Sequence, residues 1–598
     1  MKTFFLILFC LCSTAISAQT YPQGKAGSVA FEQYEIVSNS GLKVSAELGK
    51  LLVSENRTTP NGHLLELAFV RLKSTAKNPC PPIVYLAGGP GASAIKGTLT
   101  GERLSVFLAL RELGDVIILD QRGTGMSKPD ISTAQPLGVP LDKTLDSPEA
   151  QKILLDNARA FATSLKEKGI DLAAYNTAEN AEDVNDLRLA LGVQKINLWG
   201  HSYGSHLGLA ILKRHGNTIH RAALSGVNGL DQRYRFPTDA DTIFKRIDNL
   251  IAQNAKLRAA IPDFSALVKQ VIENLRQKPV IAEATVRGKK ASVGIGSLDV
   301  QVMTALMLGE KTFIYELPSL YYAMSKGDYS RAAELIATVI KMRPMGTAMS
   351  YTMHCASGAS TARLQMVKER TATATLGNAI NFPFSLPEFS DVWGAKDLGE
   401  EFRAPMLADV PTLLMSSTLD GRTSIADAEE VRKGLKNSTH VIFDNIAHDL
   451  DVPQASETLS SFFAEKPITQ TRITIPNFEF YSLNTSAMVS ALYTTMTQKG
   501  AQAFEQEFTQ LTNSETYINS TLTLLLGYRF LREKKAQEAI AVWELNNRIF
   551  PNRWQIHNAL GDAYSMAGNK EQALRSYRQS LELYPFNMSA QVNLAKLQ

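Results

Sequence analysis

Three short apolar runs, each followed at once by a glycine-containing turn, constrain the fold of this chain more than any other feature. They lie at 82–86, 115–119 and 195–199, and stretches with helical patterning separate them. Two further runs, at 410–416 and 439–444, resume the pattern. Apolar runs that alternate with helices are typical of parallel strands covered on both faces. The sequence therefore predicts an α/β fold built around a parallel sheet.

The domain boundaries follow from the places where this alternation lapses. Residues 29–231 and 400–466 are predicted to form the two parts of the α/β core. Residues 232–399 have mainly helical patterning and are predicted to form an inserted lid. A separate helical unit is predicted at 480–598. A chain of 598 residues is long enough for several domains.

The tail contains a repeat with a period of 34 residues. Matching positions are Leu526 and Leu560, Gly527 and Gly561, Phe530 and Tyr564, Ala539 and Ala573, Trp543 and Tyr577, and Pro551 and Pro585. This spacing is typical of the helix–turn–helix unit of tetratricopeptide repeats. Two such units bury little surface by themselves. We therefore expect the tail to dock on the core, to mediate self-association or to recruit a protein partner.

The amino-terminal residues have the pattern of a secretory signal peptide. Lys2 precedes an apolar run at 4–12, and the small residues Ala15, Ser17 and Ala18 follow it. The run is too short to span a bilayer comfortably. The sequence therefore predicts a signal peptide at 1–18 and a periplasmic or secreted mature chain without a stable membrane span. A retained membrane anchor is the alternative.

Charge and composition narrow the classes of partner and cofactor. Lys plus Arg number 62 and Asp plus Glu number 58, and this near balance does not suggest binding to nucleic acid or to an anionic membrane. No Cys/His cluster has metal-ligand spacing, so no metal or cofactor is expected. Once the signal peptide is removed, Cys80 and Cys355 remain. They are predicted to form either a disulfide or two separate buried thiols.

The pentapeptide at 200–204, GHSYG, points to a nucleophile. In the G-x-S-x-G pattern a tight turn from strand to helix lifts a serine hydroxyl above the sheet edge, and the glycines avoid side-chain clashes. A strand-like run precedes this pentapeptide, and a helical run follows it. Ser202 is therefore the candidate nucleophile. The alternative is a purely structural turn.

A serine nucleophile needs a base, and the sequence offers an ordered acid and histidine. Asp420 and His448 each lie just past a strand-like run, on loops that can converge at one sheet edge. His448 is predicted to take the proton from Ser202, with Asp420 orienting the imidazole. Competing acids and histidines are expected to have structural roles: Asp427 within a helix, His440 in a strand, and His201 and His206 beside the serine.

Two backbone amides are candidates for stabilising an oxyanion. The N–H group of Tyr203 follows the nucleophile directly, and a second donor is expected from the glycine-rich loop at 88–91, with Gly89 preferred. A tight structural turn is the alternative for this loop. No phosphate-binding G-x-x-x-x-G-K-[ST] pattern occurs.

The ordered motifs at 86–91 (LAGGPG), 120–125 (DQRGTG) and 200–204 resemble the prolyl iminopeptidase and tripeptidyl aminopeptidase group of α/β-hydrolases. This resemblance implies a peptidase whose helical lid selects a free amino terminus. It also implies the triad Ser202, Asp420 and His448. Ala87 departs from the histidine that many prolyl iminopeptidases have before the glycines. The lid carboxylates that would bind the substrate amine are not identifiable, although Glu310, Glu316 and Asp328 are candidates.

Three functional hypotheses are consistent with these residues. The leading one is an exported serine aminopeptidase that releases proline or short peptides from free amino termini. The second is a carboxylesterase or another acyl hydrolase that uses the same triad, because neither fold nor triad fixes the substrate. The third is a catalytically weak protein that binds partners through its repeats.

Overall fold

The computed structural model describes residues 21–598 except 60, 477 and 484. The predicted signal peptide at 1–18 lies outside the described residues. Within the described part, no helix combines the length and the apolar character needed to cross a membrane.

Fourteen strands occur in the described chain, and ten of them form one sheet. The large sheet has the order β1-β2-β3-β5-β4-β7-β8-β12-β13-β14, while β9 pairs with β10 and β6 with β11. The strands are β1 (Val29–Val37), β2 (Lys43–Ser54), β3 (Leu64–Leu72), β4 (Cys80–Leu86), β5 (Gly114–Leu119), β6 (Ser132–Pro136), β7 (Ile196–His201), β8 (Ile219–Ser225), β9 (Val280–Val286), β10 (Lys289–Ile295), β11 (Pro344–Thr347), β12 (Thr412–Ser417), β13 (Ser438–Asp444) and β14 (Arg472–Thr474).

Parallel pairing dominates the large sheet from β5 to β14, whereas β1, β2 and β3 pair antiparallel at one edge. The apolar runs of the sequence become β4, β5, β7, β12 and β13. In β5, Val116 and Ile118 pack on one face, while Ile117 and Leu119 pack on the other. Both faces are therefore covered, as the continuous apolar runs predicted.

Helices of the core cover the sheet. They are α1 (Ala94–Thr98), α2 (Arg103–Arg111), α3 (Pro148–Glu167), α4 (Thr177–Ala190) and α5 (Tyr203–His215). The lid follows with α6 (Asp239–Ile251), α7 (Ala255–Ala260), α8 (Phe264–Gln277), α9 (Ser297–Met307), α10 (Lys311–Ser325), α11 (Ser330–Leu335), α12 (Met349–Ser357), α13 (Thr361–Thr371) and α14 (Gly399–Arg403). The core resumes with α15 (Ile425–Arg432) and α16 (Pro453–Phe463), before the tail helices α17 (Thr485–Asn513), α18 (Ser520–Arg532), α19 (Ala536–Ile549), α20 (Trp554–Met566), α21 (Lys570–Leu583) and α22 (Met588–Leu597).

The inserted segment between β8 and β12 is mostly helical, but it also contains a hairpin that the sequence analysis did not predict. Strands β9 and β10 pair antiparallel around Arg287 and Gly288. These two residues have φ angles of 50° and 80°. A two-residue turn with both φ angles positive matches the natural twist of a hairpin. In addition, β11 pairs with β6 and so joins the lid to the core.

The tail helices explain the 34-residue period through close helix packing. A Cβ atom at Gly527 would lie 2.2 Å from Trp543, and one at Gly561 would lie 2.4 Å from Tyr577. Each glycine therefore lets an aromatic side chain of the next helix approach the backbone.

The tail also contacts the core and the lid. Met588 and Val592 of α22 pack in the cluster that contains side chains of β1 and β2, and the Lys596 ammonium donates to the Ser40 carbonyl at 3.1 Å. Farther back, the Tyr481 backbone N–H donates to the Tyr315 carbonyl at 2.9 Å. The tail is therefore docked on the core and the lid of its own chain, which is the first of the three alternatives given for it above.

Candidate active site

Ser202 lies in a strained turn between β7 and α5. Its φ and ψ angles are 55° and −120°, a conformation that non-glycine residues rarely adopt. A Cβ atom at Gly204 would lie 1.9 Å from the Leu86 carbonyl oxygen, and one at Gly200 would lie 2.3 Å from the Gly204 carbonyl oxygen. The two glycines are therefore required by close backbone packing, which holds the serine at the carboxyl edge of the sheet.

Asp420 and His448 meet on the loops that follow β12 and β13. The His448 Nδ1 atom lies 2.8 Å from Asp420 Oδ2, and both side chains are buried. Thr423 adds a hydroxyl bond to the same Oδ2 atom at 2.5 Å, while the backbone N–H groups of Arg422 and Thr423 donate to Oδ1 at 2.7 and 2.9 Å. The carboxylate is thus fixed in one orientation toward the imidazole.

The electrostatics of this pair favour an ionised carboxylate. Burial on its own would raise the pKa of Asp420. The adjacent His448 imidazole and the hydrogen bonds from Thr423 outweigh burial and hold the pKa below its ordinary value. An ionised Asp420 accepts a hydrogen bond from the Nδ1–H group of His448, which leaves the Nε2 atom of the neutral ring free to accept a proton.

Ser202 and His448 belong to the same site, although they are not hydrogen-bonded to each other. The Ser202 backbone N–H donates to the Ser225 carbonyl at 2.8 Å, and a Cβ atom at the next residue, Gly226, would lie 2.7 Å from His448 Cε1. The His201 and His448 rings are 5.0 Å apart. Among the described residues, His448 Nε2 has no hydrogen-bond partner. Catalytic hydrogen bonds often tighten only when substrate is bound.

The two predicted oxyanion donors lie on either side of Ser202. Tyr203 is the first residue of α5, and a Cβ atom at Gly88, directly before Gly89, would lie 3.6 Å from Ser202 Oγ. Within the described chain, neither the Gly89 nor the Tyr203 backbone N–H donates to another residue. Both amides are thus available to a substrate oxygen near the serine.

Comparison with known proteins agrees with this geometry. Residues 81–270, which include β4, the Gly89 loop, β7 and the Ser202 turn, match the family model of the alpha/beta hydrolase fold. The chain therefore contains the α/β-hydrolase fold. Residues 554–587 match the tetratricopeptide repeat model, which confirms the repeat in the tail.

Three curated relatives are similar to part of this chain. The serine protease Hip1 of Mycobacterium tuberculosis is 28% identical over 197 residues, which are 32% of this chain and 38% of the relative. The tripeptidyl aminopeptidase of Streptomyces lividans is 27% identical over 192 residues, 31% of this chain and 36% of the relative. A protein of Streptomyces coelicolor named "Probable proline iminopeptidase" is 30% identical over 146 residues, 24% of this chain and 32% of the relative.

These relatives confirm the resemblance that the sequence motifs suggested, and they support a serine hydrolase. The matched segments span only about a third of the relatives' own length. The likeness therefore concerns one part of each protein.

The competing acids and histidines of this chain have structural partners. Asp427 lies in α15 and pairs with Arg363 at 3.1 Å. His440 lies in β13, where its Nε2 atom is 2.9 Å from the Ser416 hydroxyl. The two ring nitrogens of His206 lie 3.0 Å from the Gly229 carbonyl and 3.1 Å from the Ser357 hydroxyl, and burial lowers its pKa to about 3.

Ser202 lines a cavity of about 540 Å³, and residues of both the core and the lid form its walls. The Gly89 loop forms part of the wall, and residues of α9 and α12 form another part. Four arginines that the sequence analysis did not single out also line the cavity. They are Arg233, Arg235, Arg343 and Arg422. Arg233 and Arg235 are closely spaced in QRYR, soon after a core strand, and this spacing could have indicated them from the sequence.

The candidate lid carboxylates do not line this cavity. Glu310 binds Arg422 at 2.8 Å, and Glu316 binds Arg331 at 2.6 Å. The Asp328 carboxylate accepts from the backbone N–H of Ser330 at 3.0 Å. All three carboxylates therefore have partners, and the partner of Glu310 is one of the cavity arginines.

The two remaining cysteines are separate thiols. Cys80 and Cys355 are both free, and the Cys80 thiol contacts the Pro81 carbonyl at 3.4 Å. Burial raises the pKa of Cys80 and raises that of Cys355 to about 12. Because the thiolate is the reactive form, neither group competes with Ser202 as a nucleophile near neutral pH.

Proposed function

We propose that this α/β-hydrolase is a serine peptidase that cleaves short peptides through an acyl-enzyme on Ser202. The observation that carries the proposal is the buried Asp420–His448 pair beside a strained serine at the mouth of a cavity. Strain held at a reactive residue by tight surrounding packing is common at functional sites. The names of the three relatives favour a peptide substrate.

In the acylation step, Ser202 Oγ attacks the carbonyl carbon of the scissile bond. His448 Nε2 takes the hydroxyl proton as the Oγ–C bond forms, and the carbonyl oxygen becomes an oxyanion. The N–H groups of Gly89 and Tyr203 donate to this oxyanion. His448 then gives the proton to the departing nitrogen, the C–N bond breaks, and the acyl group remains on Ser202 as an ester.

Deacylation repeats the same proton path with water as the nucleophile. His448 Nε2 takes a proton from water as the oxygen attacks the ester carbon, and it returns a proton to Ser202 Oγ as the C–O bond breaks. Asp420 stays ionised throughout and stabilises the imidazolium. Thr423 acts as a positioning residue, because its hydroxyl and backbone N–H hold the carboxylate.

Selection for the amino end of the peptide is a finer part of this proposal, and its support comes from the names of two relatives. Among the described residues that line the cavity, none is an Asp or Glu that could pair with a substrate ammonium group. Comparing each peptide with its amino-acetylated form tests this point. An aminopeptidase loses nearly all turnover on acetylation, whereas a peptidase without this requirement keeps it.

A carboxylesterase is the second candidate, because the same triad cleaves esters. The two functions separate on matched substrates that share one acyl group and differ only in an amide or ester bond. We expect measurable turnover of the amide. Turnover of the ester alone would replace the peptidase proposal with the esterase.

We also propose that the mature chain begins after the signal peptide at 1–18 and works in the periplasm or outside the cell. The apolar run and the small residues near position 18 support this proposal. Amino-terminal sequencing of the protein from its native host tests it. The expected first residue is Gln19, and a first residue at Met1 would contradict export by cleavage.

The nucleophile is tested by Ser202→Ala in the full chain. We expect peptide turnover to fall to background while the melting temperature stays close to that of the unchanged protein. Ser164→Ala is a matched control, because Ser164 lies in α3 and, among the described residues, its hydroxyl donates to the Phe161 carbonyl alone. Retained turnover in Ser202→Ala would overturn the acyl-enzyme proposal.

A further inference from the structure

The cavity beside Ser202 is strongly cationic. Its lining includes Arg233, Arg235, Arg343 and Arg422, and no aspartate or glutamate is among the described residues that line it. The whole chain is close to charge balance. The concentration of positive charge is therefore a local property of this cavity.

Three of these arginines have no carboxylate partner. Among the described residues, Arg422 is the one cavity arginine that forms an ion pair, with Glu310 at 2.8 Å, while Arg233, Arg235 and Arg343 form none. Arg233 instead donates to Asn228 Oδ1 at 2.8 Å and to His354 Nδ1 at 3.2 Å. Buried charges in proteins are normally paired, so an unpaired guanidinium at a cavity wall is unusual.

Other residues hold the arginines in place. The Asn381 side chain bonds to both backbone polar groups of Arg235, at 2.9 and 3.0 Å. The His354 ring stacks on Phe384 with ring centres 3.6 Å apart. Packing in the lid and the core thus positions Arg235 and the His354 partner of Arg233, whereas Arg343 is exposed.

Arg233 and His354 also have unused hydrogen-bond donors. Because Arg233 donates to His354 Nδ1, the ring proton of a neutral His354 is on Nε2. Arg233 is 8% exposed and His354 is 6% exposed, and within the described chain neither Arg233 Nε nor His354 Nε2 has a partner. Unmet buried donors favour a ligand that supplies acceptor oxygens.

Burial and the repulsion between neighbouring guanidinium groups disfavour the charged forms of these arginines. Burial lowers the pKa of Arg233 to about 10. Burial, together with the charges of Arg422 and Arg233, lowers the pKa of Arg235 to about 10 as well. An anion in the cavity would offset both the cost of burying the guanidinium charges and their mutual repulsion. An ammonium group would instead add to the repulsion.

We propose that the cavity selects substrates that carry a carboxylate close to the scissile bond, read by Arg233, Arg235 and Arg343. This proposal rests on the peptidase function proposed above. A guanidinium recognises a carboxylate through paired, charge-assisted hydrogen bonds. The carboxylate belongs either to an acidic side chain or to the free carboxyl terminus of a short peptide.

A peptide series on the full mature chain tests the proposal. The series places Glu, Gln or Lys in turn at each position of one short peptide, each with a free or an amidated carboxyl terminus. We expect kcat/KM for the preferred anionic peptide to exceed that of its neutral counterpart by about tenfold or more. We expect the lysine peptide to be slower than the neutral one. A loss caused by amidation alone assigns the carboxylate to the terminus, and a loss on Glu→Gln replacement assigns it to a side chain.

Variants tie the preference to the cavity. Arg235→Gln and Arg343→Gln are expected to bring the anionic-to-neutral ratio of kcat/KM toward 1. Arg159→Gln is the matched control and should keep the ratio, because Arg159 lies on the exposed side of α3 and pairs with Glu388. Arg343 is exposed, so its replacement tests the proposal even where Arg235→Gln does not fold.

The outcomes separate this proposal from the proposed function. Equal rates for anionic and neutral peptides, with turnover still lost in Ser202→Ala, overturn the carboxylate selection alone. A preference for lysine peptides overturns it as well. Turnover that persists in Ser202→Ala instead overturns the peptidase mechanism.

Discussion

Replacing Asp420 by Asn tests how the carboxylate sets the protonation of His448. Asp420 Oδ1 accepts two backbone N–H groups, from Arg422 and Thr423, so an asparagine keeps its carbonyl oxygen there. Its amide NH₂ then occupies the Oδ2 position, 2.8 Å from His448 Nδ1. Two donors cannot face each other, so the imidazole proton moves to Nε2.

An imidazole that carries its proton on Nε2 cannot accept the proton of Ser202. The Asp→Asn change in a serine-protease triad lowers kcat by about 10⁴-fold for this reason, and we expect a loss on the order of 10³ to 10⁴ here. The folded chain should persist, because the two backbone bonds are kept. Steady-state kinetics with a peptide substrate measures kcat, and circular dichroism checks the fold.

Asp263→Asn is the matched control for this variant. Asp263 caps α8 by accepting from the Ala266 backbone N–H, and asparagine caps helices about equally well. This variant should therefore keep full activity. A loss of less than tenfold in a folded Asp420→Asn protein would refute the assignment of Asp420 as the residue that orients His448.

Three further predictions concern packing and charge. Gly204→Ala places a Cβ atom 1.9 Å from the Leu86 carbonyl oxygen at the end of β4, so we expect it to lower the free energy of unfolding by about 3 kcal/mol or more. Gly216→Ala is the control, because its Cβ atom meets open space, and thermal melts compare the melting temperatures of the two variants. Burial raises the pKa of Asp239 to about 7, so its stabilising contribution is fully present below its ordinary pKa and is lost as pH rises from there through 7; Asp239→Asn should gain melting temperature relative to the unchanged chain at pH 8, and this gain should shrink as pH falls and be absent at about pH 3. Met588→Ala removes a buried contact between the tail and the core, so we expect it to lower the free energy of unfolding by about 2–3 kcal/mol. Denaturant titration measures this change, and an unchanged midpoint would contradict the docking of the tail.

The sequence was sufficient to predict β4, β5, β7, β12 and β13 because these strands are local apolar runs, whereas β8 and β14 were not predicted. The runs at 82–86, 115–119, 195–199 and 410–416 each contribute buried side chains to both faces of the sheet, so their apolar composition is visible without knowledge of the neighbouring strands. The proximity of Asp420 and His448 could also be predicted, since carboxyl ends of parallel strands share one edge. Their roles in catalysis stay predictions until a variant is measured.

The hairpin of the lid and the cationic cavity were not predicted, for different reasons. The strand at Val280–Val286 contains Ala and Glu, which favour helices over strands, so its residues gave only a weak indication of a strand. The cavity arginines come from separate segments, and only tertiary packing brings Arg235 and Arg343 to one wall. No local pattern in the sequence encodes such a meeting.

The central claim is that Ser202 forms the covalent intermediate. Labelling the mature protein with a fluorophosphonate, followed by proteolysis and mass spectrometry of the fragments, tests it most directly. The account predicts a single adduct on Ser202 and none in Ser202→Ala. A stable adduct on a different serine, or an unlabelled Ser202 in protein that still cleaves peptides, would contradict it.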